Sequence, residues 1–225
     1  MVGLRPVRGS VSTLRAWLGV HHTRLAMSVL LATLVASALC RSSIVERVGG
    51  QQLASPVALV LLIPAVAAVG VAVGCVSPSF PRPNPVRARI ARGAWALALI
   101  ALAFVACVAG PASGGTAGAS TTAILRNVAV YAVLALAPLF VRMPTFAWLP
   151  PTVYALAAIQ FGSQVDGTVA VWAMVVDPSG TSTQLAVALT ALSITVAGYA
   201  MSQREALPSR TRGLPSHAAS SFPVD

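Results

Sequence analysis

The chain has 225 residues, of which 56% are hydrophobic and only 9% charged. A soluble domain carries about 25% charged residues, so this chain lacks the polar surface to face water and falls in the membrane class. Its formal net charge of +10 comes from arginines alone; they flank apolar runs, which points to membrane topology rather than nucleic-acid binding, and with no lysine there is no P-loop.

All-Arg usage with abundant Ala, Gly and Val suits a high-GC bacterial gene. Residues 1–24 carry Arg5, Arg8, Arg15 and Arg24. Val11, Leu14, Trp17, Leu18 and His21 recur at spacings of three and four, as on one face of a helix. The segment reads either as an amphipathic helix lying in the membrane interface, with Trp17 at headgroup depth, or as a basic flank with little order.

The first apolar run covers 25–40 and extends to 45 if Arg41 snorkels outward. Ala36-Ser37-Ala38 has the form of a signal-peptide cleavage site. The long basic flank and the spans that follow favour a retained helix. Leu39 is too large for the position before a lipoprotein cysteine at Cys40. The second span, 53–76, contains no charge. Pro56 falls in its first turn, Pro64 should kink it, and Gly70 and Gly74 allow close helix packing. The loop 77–93 holds Arg82, Arg87, Arg89 and Arg92 and no acid, with Pro81, Pro83 and Pro85 keeping its first half extended. Residues 86–92 are long enough for two helical turns.

The third span covers 94–109, and 110–120 is an uncharged turn. The fourth, 124–141, has Arg126 near its outer end, read as a snorkelling cation among lipid headgroups in preference to a charge facing a pathway. The fifth, 145–161, is interrupted at its entry by Pro150 and Pro151. The connection 163–184 contains an apolar stretch, 169–176 (VAVWAMVV), too short to span a bilayer. Bracketed by Asp166 and Asp177, it reads as a re-entrant or interfacial inset. The sixth span is 185–201. The tail, 202–225, with Arg204, Arg210 and Arg212, reads as disordered.

These readings give an all-α fold: a basic segment 1–24, a six-span transmembrane bundle 25–201 and a tail 202–225. With both termini in the cytoplasm, twelve of the fifteen arginines lie inside, and only Arg41, Arg47 and Arg126 lie outside. That asymmetry follows the positive-inside rule and predicts a multi-pass protein of the bacterial cytoplasmic membrane. No acid lies within an apolar run, and His21, His22 and His217 are terminal, which argues against a carrier coupled through membrane-embedded carboxylates. Cys40, Cys75 and Cys107 form no C-x-x-C pair and read as small buried residues. Ser28, Ser37 and Ser193 have no histidine at similar depth, so no enzyme is expected, and no cofactor or metal.

Six spans, a basic entry segment, a basic loop after span two and an apolar inset between spans five and six resemble the membrane subunits of type 2 ABC exporters. The stretches 125–162 (LRNVAVYAVLALAPLFVRMPTFAWLPPTVYALAAIQFG) and 172–205 also resemble small permease-like membrane proteins of high-GC bacteria. The resemblance implies that Arg87, Arg89, Ile90 and Arg92 meet a separate ATPase subunit and that Trp172 lies in a re-entrant inset. It also implies pairing with a second copy or a related permease, and the lipid bilayer as the surrounding partner. The rival expectation is a membrane protein that transports nothing: an assembly, immunity or sensory anchor.

Overall fold

The computed structural model describes residues 22–40, 45–48, 51–55, 58–76, 85–112, 120–141, 143–162 and 169–202. Helix α1 (Thr23–Leu39) is followed by an antiparallel hairpin of β1 (Val45–Val48) and β2 (Gln51–Ser55). Helix α2 opens as a π-turn (Ala58–Leu62) and continues regularly over Ile63–Cys75. Helices α3 (Pro85–Ala112) and α4 (Thr121–Phe140) follow. A 3-10 turn (Pro144–Phe146) leads into α5 (Leu149–Phe161). A second 3-10 turn (Val171–Val176), the inset, precedes α6 (Ser182–Ser202).

The bundle is helical, as expected, apart from this short hairpin. The hairpin occupies the stretch expected to extend span one to residue 45 and to begin span two at 53. The sequence there contains polar and charged residues (VERV, then QQLAS), and β pairing gives its backbone groups partners outside a helix. The other difference is at the basic loop. Residues 86–92 do form helix, but as the first turns of α3, continuous with the third span. The tail and most of the basic N-terminal segment lie outside the described residues.

Successive helices run in alternating directions. The start of α1 meets the end of α2, where a Cβ on Gly74 would lie 3.0 Å from that of Ala26. At that same end the Trp95 indole of α3 donates to Gly74 O at 2.9 Å, and the Tyr199 hydroxyl of α6 donates to Cys75 O at 2.5 Å. Those two carbonyls have no partner within their own helix, because they belong to its last turn. At the other end the Ser37 hydroxyl of α1 donates to Ala106 O of α3 at 2.7 Å.

Helix α4 is the axis, packing against α2, α3, α5 and α6. Twelve of its residues are buried. By contrast α6 buries only Ala188, Leu192, Val196 and Tyr199, a stripe at helical spacing. Its other faces stay apolar, with Val187, Ile194 and Met201 more than 60% exposed. Large exposed apolar side chains also cover α1, α3 and α5, such as Leu31, Leu97 and Leu156. A helix apolar all round, with small residues inside and large ones outside, is matched to lipid rather than water. Three helices, Val86–Ala112, Thr121–Phe140 and Ser182–Ser202, are long and apolar enough to cross a membrane. Thr23–Leu39 and Val60–Cys75 are shorter, and the thirteen residues of α5 rise about 20 Å.

Candidate functional site

The described polar side chains concentrate at one end of the bundle, around the first turns of α4. Ser120 caps that helix, its hydroxyl accepting from Ala123 N at 3.0 Å. The same residue ties the helix to the turn before α6: its amide donates to Pro178 O at 3.0 Å and its hydroxyl donates to Ser179 O. The turn passes close because Gly180 has φ +56°. A Cβ there would lie 2.7 Å from Ala123 N, so the position needs glycine for both conformation and space.

Arg126 follows on the next turn of α4. It has no exposed surface. This corrects the expectation of a snorkelling, lipid-facing cation: the guanidinium turns inward because three oxygens await it there. Nε donates to Asn127 Oδ1 at 2.9 Å, Nη1 to Gln184 Oε1 at 2.6 Å and Nη2 to Asp177 O at 2.8 Å. Gln184 is itself held by a reciprocal cap at the start of α6. The Thr181 amide donates to Gln184 Oε1 and the Gln184 amide donates to Thr181 Oγ1, both at 3.2 Å.

Asn127 is equally buried. Its Nδ2 donates to Val60 O of α2 and to Val175 O of the inset, each at 2.6 Å. Val60 O is available in part because Pro64, four residues on, has no N–H to offer it. One turn further along α4, Tyr131 is fully buried and its hydroxyl finds no hydrogen-bond partner among the described residues. Its ring meets that of Tyr154 edge-on, with centroids 6.0 Å apart. The Tyr154 hydroxyl donates to Trp172 O at 2.6 Å. Three backbone carbonyls of the inset and its exit, at 172, 175 and 177, are thus gripped by side chains of α4 and α5.

The Asp177 carboxylate is hydrogen-bonded to Ser179: Oδ1 accepts from its amide and its hydroxyl, at 2.9 and 2.6 Å. Partial burial raises its pKa. The two Ser179 bonds, the Arg126 charge and the Gly180 amide outweigh that and leave it below the ordinary carboxylate value.

The residues expected to meet an ATPase lie elsewhere. Arg87, Arg89 and Ile90 are exposed on the first turns of α3, Ile90 by 66%. Arg92 is not with them: it is 5% exposed and its Nε donates to Ala88 O at 3.2 Å. They sit at the end of the bundle opposite Arg126. Trp172 lies in the inset, half exposed, while Ala173, Val175 and Val176 are buried. No group of three or more His, Cys, Asp or Glu able to hold a metal occurs among the described residues.

Tyr154, which the sequence suits to an interface or a helix contact, makes such contacts here. Asn127, Gln184 and Tyr131 are the members of this site that the sequence reading did not single out. Signals existed for the first two: an Arg-Asn pair inside an apolar run, and Thr-x-x-Gln immediately before the last span. The chain matches no family model, no curated protein and no solved structure. What the fold and site define is therefore a class: an α-helical bundle with an apolar exterior, three helices of span length and a buried polar cluster at one end.

Proposed function

We propose that this chain is a six-span protein of the bacterial cytoplasmic membrane, with both termini inside, and that it serves as the permease subunit of an ABC exporter. ATP is hydrolysed by a separate subunit, and two copies, or one copy with a related permease, enclose the path. The observation that supports this best is the arrangement of the two ends. Arg87, Arg89 and Ile90 are exposed at one end, and a helical inset between α5 and α6 lies at the other. In this reading the first two turns of α3, continuous with the span, transmit motion from the ATPase.

A pull-down of the tagged protein in mild detergent, read by mass spectrometry, tests the reading. A nucleotide-binding subunit should be recovered in stoichiometric amount. Arg87→Glu with Arg89→Glu should abolish that recovery while leaving membrane insertion intact; Arg92 is left unchanged because it is buried. Recovery of the chain alone, across several detergents and with a cross-linker, rejects the exporter. The second reading, a membrane protein that transports nothing, is favoured by one observation. The core away from the Arg126 cluster is filled mainly by Ala, Val, Leu and Ile from five helices.

A further inference from the structure

Arg126 is a cation with no exposed surface whose three hydrogen-bond acceptors are all uncharged. The Asp177 carboxylate, whose field it feels, is hydrogen-bonded to Ser179 instead. A buried charge held only by neutral dipoles is costly compared with one that meets an anion. Tyr131 adds an independent observation: a fully buried hydroxyl with no partner among the described residues. It packs in one cluster with Ala173, Val175 and Val176 of the inset. A guanidinium with no charged hydrogen-bond acceptor and a phenol with no partner among the described residues thus lie close to one short segment.

That segment has little internal support. It is a 3-10 turn broken at Ala173, where φ −97° and ψ 25° leave the helical region. Short 3-10 turns have poor internal hydrogen bonds. Val171 is 93% exposed, so burial of Ala173, Val175 and Val176 and the bonds to carbonyls 172, 175 and 177 do the holding. A phosphate or carboxylate oxygen accepts from Arg126 and Asn127 as a carbonyl does, and brings the missing charge. An apolar groove of about 320 Å³, lined by Phe104, Val105, Val108, Ala109, Thr121 and Leu125, flanks the same first turns of α4. It suits a ligand with a hydrocarbon part.

We propose that Arg126, Asn127 and Tyr131 form a binding site for the phosphate or carboxylate head of an amphiphile, covered in this structure by the inset Val171–Val176 and opened when the inset yields its carbonyls' places to the ligand. The inference needs no ATPase partner.

The test uses the full chain in phosphatidylcholine nanodiscs, titrated with dodecyl phosphate, inorganic phosphate and uncharged dodecanol. Binding is followed by calorimetry and the inset by hydrogen–deuterium exchange. Dodecyl phosphate should bind saturably and speed exchange in the peptide covering the inset, and dodecanol should do neither. Arg126→Gln should weaken binding by about tenfold or more, because a desolvated charge partner is lost. Tyr131→Phe should weaken it severalfold with thermal stability equal or higher, since the hydroxyl it removes is unsatisfied. A merely structural Tyr131 would leave binding unchanged. If Arg126→Gln does not fold, Tyr131→Phe decides. Tighter binding of dodecyl phosphate than of inorganic phosphate assigns a lipid-like headgroup, whereas equal binding overturns the amphiphile. No saturable binding of either phosphate, or binding with inset exchange unaltered, overturns the site.

Discussion

Asn127 shows how much one side chain carries. Its amide nitrogen serves two carbonyls on different elements, Val60 O and Val175 O, and its oxygen receives Arg126. Asn127→Ala should therefore lower stability by about 1–3 kcal/mol, more than a typical interhelical hydrogen bond. Thermal unfolding in detergent would check this, and inset exchange should rise with it. Asp177 gives a pH dependence. Its carboxyl is held below the ordinary value, so its contribution is fully present above about pH 4 and lost as pH falls through the lower folded value. Asp177→Asn should flatten the fall in melting temperature over that acid range; an unchanged slope would contradict the role. The Arg126 environment was not legible in the sequence. Residue 126 lies near a predicted span end, where snorkelling is the usual solution, and the oxygens that turn it inward come from residues 177 and 184, more than fifty positions away.

At the scale of elements, α1 is bound into the bundle and is not an appendage. Its stripe Ala26, Leu30, Thr33 and Ser37 is buried, and Ser37 bonds to α3. A Cβ at Gly110 would collide with the Ser37 backbone carbonyl. Gly110→Val should therefore separate α1 from α3 and lower the melting temperature, whereas the same change at Gly93, whose nearest contact is 3.5 Å away, should cost little. Retention of α1 has its own check. The protein taken from membranes should have the full mass of 22.9 kDa, and a mass short by the first 38 residues would mean cleavage after Ala38. The six helices were readable from apolar runs and prolines, within a few residues at most ends. The hairpin was not, because residues 46–52 fall between the first two predicted spans, and a short polar connection carries no periodicity that marks it as paired.

For the whole molecule, the described arginines on α1 and α3 (Arg24, Arg87, Arg89 and Arg92) fall at one end and Arg126 at the other, as the alternation of helix directions requires. A fluorescent protein fused after Asp225 should be bright, and alkaline phosphatase at the same point inactive, if that end is cytoplasmic. The reverse pattern, with the N-terminus inside, would require an odd number of crossings. Helices α1, α2 and α5 are shorter than the three of span length, so the number of crossings turns on them.

The sequence by itself determined the apolar composition, the approximate helices and the asymmetry of charge. These follow from local composition and from periodicities of a few residues, which a bilayer reads segment by segment. Only the tertiary structure decided that Arg126 is buried, that Arg92 leaves the exposed basic face, and that Asn127, Tyr131 and Tyr154 lie against the inset. Those facts depend on which distant carbonyls and rings are brought alongside α4, and helix packing sets that without leaving a local pattern in the chain.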